Sequence, residues 1–290
     1  MINYLRAWCA LSTMCLGAAC AADTITILPS KDNTLYQDDL GLLSNGQGAY
    51  LFAGVNGLGE IRRAVIAFDL SAIPPGSTVK SVTLRLNMSR TQDAAEPVSL
   101  HRALQDWGEG TSNAAANEGR GAPAATGDAT WIHTFFDTSE WTDGASPAPG
   151  GHFVLAPSAT TAVDQVGPYS WSDPLMVSDV QTWVDVGSVN FGWVIRGFED
   201  GASTAKRFDS RENSVVANRP QLTVTFTPPI AACPCDFDHD GAVSSPDFFG
   251  FLVAFFNMAL EADFDGSGQV NSADFFAFLT CFFEPPASCQ

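Results

Sequence analysis

The strongest constraint in this chain is a duplication near its C-terminus. Residues 236–256 read DFDHDGAVSSPDFFGFLVAFF and residues 263–283 read DFDGSGQVNSADFFAFLTCFF, so a shift of 27 positions matches 13 of 21 residues. Each copy opens with a 12-residue loop that has Asp at positions 1, 3 and 12 and Gly at position 6. Calcium takes roughly six to eight hard oxygen ligands, and such a loop supplies them from positions 1, 3, 5, 7, 9 and 12 around a glycine turn at 6. In the first loop these are Asp236, Asp238, Asp240, the Ala242 carbonyl, Ser244 and Asp247; in the second they are Asp263, Asp265, Ser267, the Gln269 carbonyl, Asn271 and Asp274. The spacing predicts two calcium ions. The first loop is expected to be the tighter site, with four carboxylate side chains against three.

Each loop runs into an aromatic segment. Twelve of the 21 Phe lie in residues 231–290, which also hold nine Asp or Glu and no Lys or Arg. Packed together, those carboxylates repel one another unless cations neutralise them, so folding of this region is expected to need calcium. Phe248, Phe251 and Phe255 and their repeats Phe275, Phe278 and Phe282 are expected to form a shared core. Phe249, Phe256, Phe276 and Phe283 widen the apolar band beyond what so short a region needs, which reads as an exposed partner patch. Each apolar run is too short and too closely flanked by acid to span a membrane.

The first 22 residues contain no acid, one Arg (Arg6) and an apolar run ending in Ala19-Cys20-Ala21, the pattern of a secretory signal peptide. Its removal takes away Cys9, Cys15 and Cys20 and leaves Cys233, Cys235, Cys281 and Cys289, all in the C-terminal region. Four cysteines in an oxidising compartment suggest two disulfides, with three connectivities open. A Cys233–Cys235 bond would close a very short, strained ring; the expected pairing is Cys233–Cys289 with Cys235–Cys281. The formal charge of −18 argues against a nucleic-acid partner, because a polyanion is repelled at long range.

Residues 23–228 read as β-structure. Val82, Leu84, Leu86 and Met88 alternate with polar residues, as do Ala64, Ile66, Phe68 and Leu70, and Leu222, Val224 and Phe226. Gly- and Pro-rich turns separate these stripes, as at residues 73–76 and 147–151. The fold class expected is mainly β, a jelly-roll-like antiparallel β-sandwich with a small all-α C-terminal module. One helical pattern interrupts it at residues 177–186. Residues 105–151 form a loop-rich stretch carrying Trp107, Trp131 and Trp141, which either pack it down or present stacking surfaces to sugar rings. Glu109, Asp128, Asp137 and Glu140 are available as paired carboxylates, but acids are too common here to mark a catalytic pair. Arg211-Glu212 reads as a structural ion pair, and no residue is assigned to catalysis.

Three blocks carry a resemblance. TITILPSKDNTLY at 24–36, RRAVIAFDLSAIPPGSTVKSVTLRL at 62–86, and FDSRE at 208–212 with RPQLTVTF at 219–226 resemble the opening strand, central hairpin and closing signature of DNRLRE-type domains. Such domains are β-sandwiches of exported bacterial proteins, some classed as carbohydrate-binding modules. The resemblance implies a non-catalytic role facing a polysaccharide. The C-terminal region, with Asp instead of Glu at loop position 12 and Cys-Pro-Cys where an entering helix would lie, resembles GC-type dockerins. That implies anchoring to a cohesin-like partner, partly through loop positions 10 and 11, here Ser245, Pro246, Ser272 and Ala273.

The organisation expected is a signal peptide (1–22), the sandwich (23–228), a linker (229–232) and the dockerin-like module (233–290). The function expected is that of an exported polysaccharide-binding or surface-structural module on a calcium-dependent anchor. A dockerin-borne polysaccharide hydrolase or lyase, or a cell-surface adhesin, is the alternative.

Overall fold

A computed structural model describes residues 22–91, 94–229, 233–286 and 289. Residues 1–21 of the expected signal peptide, with Cys9, Cys15 and Cys20, and residues 230–232 of the expected linker lie outside the described residues. The chain divides into two compact units, of which one spans Ala22–Pro229 and the other contains the C-terminal repeats.

The first unit is built from β1 (Asp23–Ile27), β2 (Pro29–Tyr36), β3 (Leu43–Ser44), β4 (Tyr50–Val55) and β5 (Ile61–Phe68). The long β6 (Thr78–Thr91) and β7 (Glu96–Arg102) follow, and then the short β8 (Ala122–Pro123), β9 (His133–Phe135) and β10 (Ser139–Glu140). β11 (Ala159–Val163), β12 (Gly167–Trp171), helix α1 (Pro174–Asp185), β13 (Trp193–Arg196), β14 (Lys206–Asp209) and β15 (Gln221–Thr227) complete it. Eleven strands join one curled antiparallel sheet along the path β1-β15-β6-β14-β4-β5-β13-β7-β11, with β12 added on β6 and β2 on β5.

The alternation read from the sequence is the pleat of this sheet. Val82, Leu84, Leu86 and Met88 of β6 are fully buried, and Leu84 lies opposite Leu222 and Val82 opposite Val224 of β15. They share one core with Ile66 of β5, Val98 and Leu100 of β7 and Ile195 of β13, which come from the other end of the strand path. Helix α1 adds Met176, Val180 and Trp183 to that core. It starts three residues before the expected 177–186 stretch, because Asp173 caps it through the Leu175 N–H and Pro174 occupies the first turn.

A second cluster holds the long loops. Trp107, Trp131 and Trp141 are 0, 8 and 1 % exposed, so all three pack the loops down rather than offering stacking faces. The indole N–H groups of Trp107 and Trp141 donate to the Phe191 and Thr130 carbonyls, each at 2.9 Å.

The C-terminal unit contains α2 (Ser245–Phe256) and α3 (Ser272–Phe283), each following one acidic loop. The repeat folds as an internal two-fold. Phe251 and its mate Phe278 stack on each other, with ring centroids 4.0 Å apart and an interplanar angle of 1°. Phe248–Phe282 and the equivalent Phe255–Phe275 pair at 5.6 and 5.7 Å. Disulfides join Cys233 to Cys289 and Cys235 to Cys281, with Cα–Cα distances of 5.0 and 5.8 Å, inside the range a disulfide spans.

Candidate functional site

The two acidic loops carry the same hydrogen-bond network. In the first, the Asp240 N–H donates to Asp236 at 3.0 Å and to Asp238 at 3.1 Å, and the Gly241 N–H donates to Asp236 at 2.9 Å. In the second, Ser267 N–H reaches Asp263 and Asp265 at 3.0 Å, and Gly268 N–H reaches Asp263 at 2.7 Å. Gly241 and Gly268 take φ of 91° and 82°, the left-handed region a residue with a Cβ rarely enters. These N–H groups hold the carboxylates convergent although the charges repel.

The last acid of each loop is also part of a helix cap. Asp247 and Asp274 sit at N3 of α2 and α3, where each accepts the N-cap N–H, at 2.7 Å from Ser244 and 2.8 Å from Asn271. Their other oxygens accept from Asp238 N–H and Asp265 N–H at 3.0 Å, which ties the loop end back to its start. These backbone bonds keep the Asp274 carboxyl below its ordinary range. Burial works against the charge of Asp247, but the same bonds outweigh it and lower that group too. One oxygen each from Asp236, Asp238 and Asp247, and from Asp263, Asp265 and Asp274, lie within 4.8 Å of one another. The donor set is hard oxygen throughout, with each carboxylate keeping lone pairs to spare, so either loop could hold a divalent cation. Ser245, Pro246, Ser272 and Ala273 form the exposed first turn of the two helices. Phe249 and Phe276 are 62 and 64 % exposed, and Phe256 and Phe283 are 76 and 74 % exposed, a symmetric apolar pair on each helix.

The β-unit holds a cleft of about 320 Å³ that no motif announced. Among the described residues, four arginines line it, Arg62, Arg90, Arg120 and Arg207, with Glu118 as the one carboxylate. Arg90 of β6 and Arg207 of β14 are direct cross-strand neighbours. Like charges placed opposite each other on a sheet destabilise it. Arg207 stacks on the Tyr50 ring at 3.8 Å and Arg62 on Tyr36 at 4.9 Å. Arg62 is 2 % exposed, pairs with Glu60 at 2.8 Å, and has a buried Nε without a hydrogen-bond partner among the described residues. Arg90 and Arg120 are exposed, and among the described residues neither forms an ion pair. Glu118 is a fixed part of the wall, since its carboxylate accepts the Tyr50 N–H at 2.8 Å and Asn45 Nδ2 at 3.1 Å. Such a cleft can take an anion, and Tyr50 and Phe52 beside the guanidiniums offer apolar faces to the same ligand.

The carboxylates of the loop region take separate structural roles. Asp128 is fully buried and staples its loop by accepting the Thr111 and Ala125 N–H groups at 2.7 and 2.8 Å; Asp137 and Glu140 are exposed. Glu109 instead meets Asp32 and Glu212, with one oxygen from each within 4.8 Å of the others. The Arg211–Glu212 ion pair expected from the sequence is present at 3.3 Å, but both oxygens of Glu109 hold the same guanidinium more closely, at 2.8 Å. Comparison of the chain with family profiles and with curated proteins finds no match in either.

Proposed function

We infer that this chain is an exported, non-catalytic module that binds an acidic polysaccharide and is tethered through a calcium-dependent, dockerin-like anchor. The observation that carries the glycan half is the juxtaposition of Arg90 and Arg207 in a cleft that, among the described residues, holds four arginines and one carboxylate, on a chain of charge −18. A uronate or sulfate ester relieves that repulsion, and bidentate guanidinium contacts fix its orientation. The two halves of the curled sheet, facing each other across one core, support reading it as the jelly-roll-like sandwich of DNRLRE-type domains.

The anchor half rests on two loops with matching networks and oxygen donors, which supports Asp236, Asp238, Asp240, Ala242, Ser244 and Asp247 as one calcium set. Asp263, Asp265, Ser267, Gln269, Asn271 and Asp274 form the other. The symmetric exposed Phe pairs, next to Ser245–Pro246 and Ser272–Ala273, form the face a cohesin-like partner would cover. Because this unit carries no Lys or Arg, that partner face is basic around an apolar centre.

The test is binding of the full chain to a short oligogalacturonate and to a neutral oligosaccharide of equal length. Selective binding of the uronate, weakened about tenfold by Arg90→Ala or Arg120→Ala, is the expected result. Equal binding of both sugars, or an unchanged affinity in the variants, removes the cleft from the reading. Release of shortened products would mark an enzyme instead.

A further inference from the structure

The group formed by Asp32, Glu109 and Glu212 with Arg211 has no part in the cleft or the calcium loops, yet it is built with care. It joins three segments: β2 gives Asp32, the loop after β7 gives Glu109, and the turn after β14 gives Arg211 and Glu212. Asp32 is 1 % exposed and accepts the Arg211 N–H at 2.8 Å, and its own N–H donates to Glu109 at 2.9 Å. Gln47 approaches Glu109 at 3.5 Å. The neighbouring charges are engaged elsewhere: Lys31 with Asp106 at 2.6 Å and Asp128 with the Thr111 N–H at 2.7 Å. Three carboxylates and one guanidinium in so little space leave two uncompensated negative charges unless a proton is held. Glu212 Oε2 is the natural place for it. That oxygen is buried and has no hydrogen-bond donor among the described residues, so a proton turns an orphaned acceptor into a donor toward the neighbouring carboxylates.

This group sits at the root of the cleft wall. Beyond Glu109 the chain is pinned by Gln47 N–H to the Ser112 carbonyl at 2.9 Å and by Ala114 N–H to Asn45 at 2.9 Å. It then enters the turn Ala115–Arg120, whose Ala115, Ala116, Glu118, Gly119 and Arg120 line the cleft.

We propose that Glu212 and Asp32 share one proton that latches the Glu109 segment shut, and that losing it as pH rises loosens the arginine-bearing wall of the cleft. Burial, and then the charge of Glu109, push the Glu212 carboxyl up to about 7. Burial and the charge of Glu212 raise Asp32 as well. A carboxyl raised in the closed form gives a stabilisation fully present below the ordinary carboxylate range and lost as pH climbs through about 7. As regulation of the glycan cleft, the latch rests on the function proposed above; as a structural device it does not.

Backbone hydrogen exchange on the full chain in excess calcium, corrected for the intrinsic pH dependence of exchange, tests it without any glycan. The opening constant of residues 109–114 is expected to rise by up to about tenfold per pH unit and to level off above about pH 7. Glu212→Gln, which cannot ionise and donates from its amide, should abolish the slope. Asp32→Asn serves as a second variant if that one fails to fold. A wild-type opening constant independent of pH overturns the proposal, and so does a slope that persists in a folded variant. A calcium ion in place of the proton would give the first of these results, since it would keep the segment closed throughout. Failure of oligogalacturonate to bind at any pH would sink the glycan reading alone and leave the exchange result to stand.

Discussion

Gly110 shows how tightly the loop region is built at single positions. Its φ is +75°, and a Cβ placed there would lie 1.4 Å from Asp128 Oδ1, the oxygen that accepts the Thr111 N–H. Gly110→Ala must therefore both strain the backbone and expel a buried carboxylate from its donors. A loss of at least about 2 kcal/mol in urea unfolding is expected; unchanged stability would show that the loop is not held as described. Glu199 is a second such position, bonded to Arg63 at 2.8 and 2.9 Å and to Arg196 at 2.7 Å. Burial works against its charge, but the two arginines pull the carboxyl down from 4.5 to about 2. Its folded value lies below the unfolded one, so its stabilisation is present above about pH 4.5 and fades as pH falls toward 2. Urea midpoints of wild type and Glu199→Gln should differ clearly at pH 7 and converge near pH 2. A gap that stays constant with pH would contradict the ion-pair account.

At the level of elements, what the sequence disclosed depended on whether the residues of a feature are neighbours in the chain. The convergent acidic loops were legible because all six candidate ligand positions fall within 12 residues, and the strands because period-2 alternation is local. The arginine cleft was not, since Arg62, Arg90, Arg120 and Arg207 come from β5, β6, a short turn and β14, and only the strand order brings them together. The carboxylate latch was hidden for the same reason, with Asp32 and Glu212 separated by most of the unit. The tryptophans of the loop region illustrate the opposite problem, a conspicuous composition whose side chains turn out to be core. The paired loops also give a graded expectation. Position 5 is Asp240 in the first and Ser267 in the second, while the networks around them match. Calorimetric titration of calcium-free protein should resolve a tighter and a weaker site, and Asp240→Ser should weaken the tighter one about tenfold, toward its mate. Two sites of equal affinity in the wild type would mean that carboxylate number does not set the order.

Over the whole molecule the charges pull in opposite directions at different ranges. On the proposed function, a net charge of −18 would repel an acidic glycan at a distance, whereas the cleft would attract it at contact. Salt screens the first interaction over about 10 Å at 0.1 M, and acts less on guanidinium–carboxylate contacts within a partly enclosed cleft. The long-range barrier therefore falls with salt, and the association rate for oligogalacturonate should rise between low and moderate ionic strength. This inverts the usual behaviour of a basic protein meeting a polyanion, whose association slows as salt is added. The dissociation rate should rise as well, because the short-range contacts weaken, so the affinity changes less than either rate. Two bound calcium ions would bring the charge from −18 to −14, so calcium should speed association modestly even though its proposed sites lie in the other unit. Stopped-flow measurements across a salt series, with and without calcium, separate these effects. An association rate that falls steadily with salt would mean that the local field of the four arginines outweighs the charge of the chain, and with it the premise that the repulsion is global and the capture local.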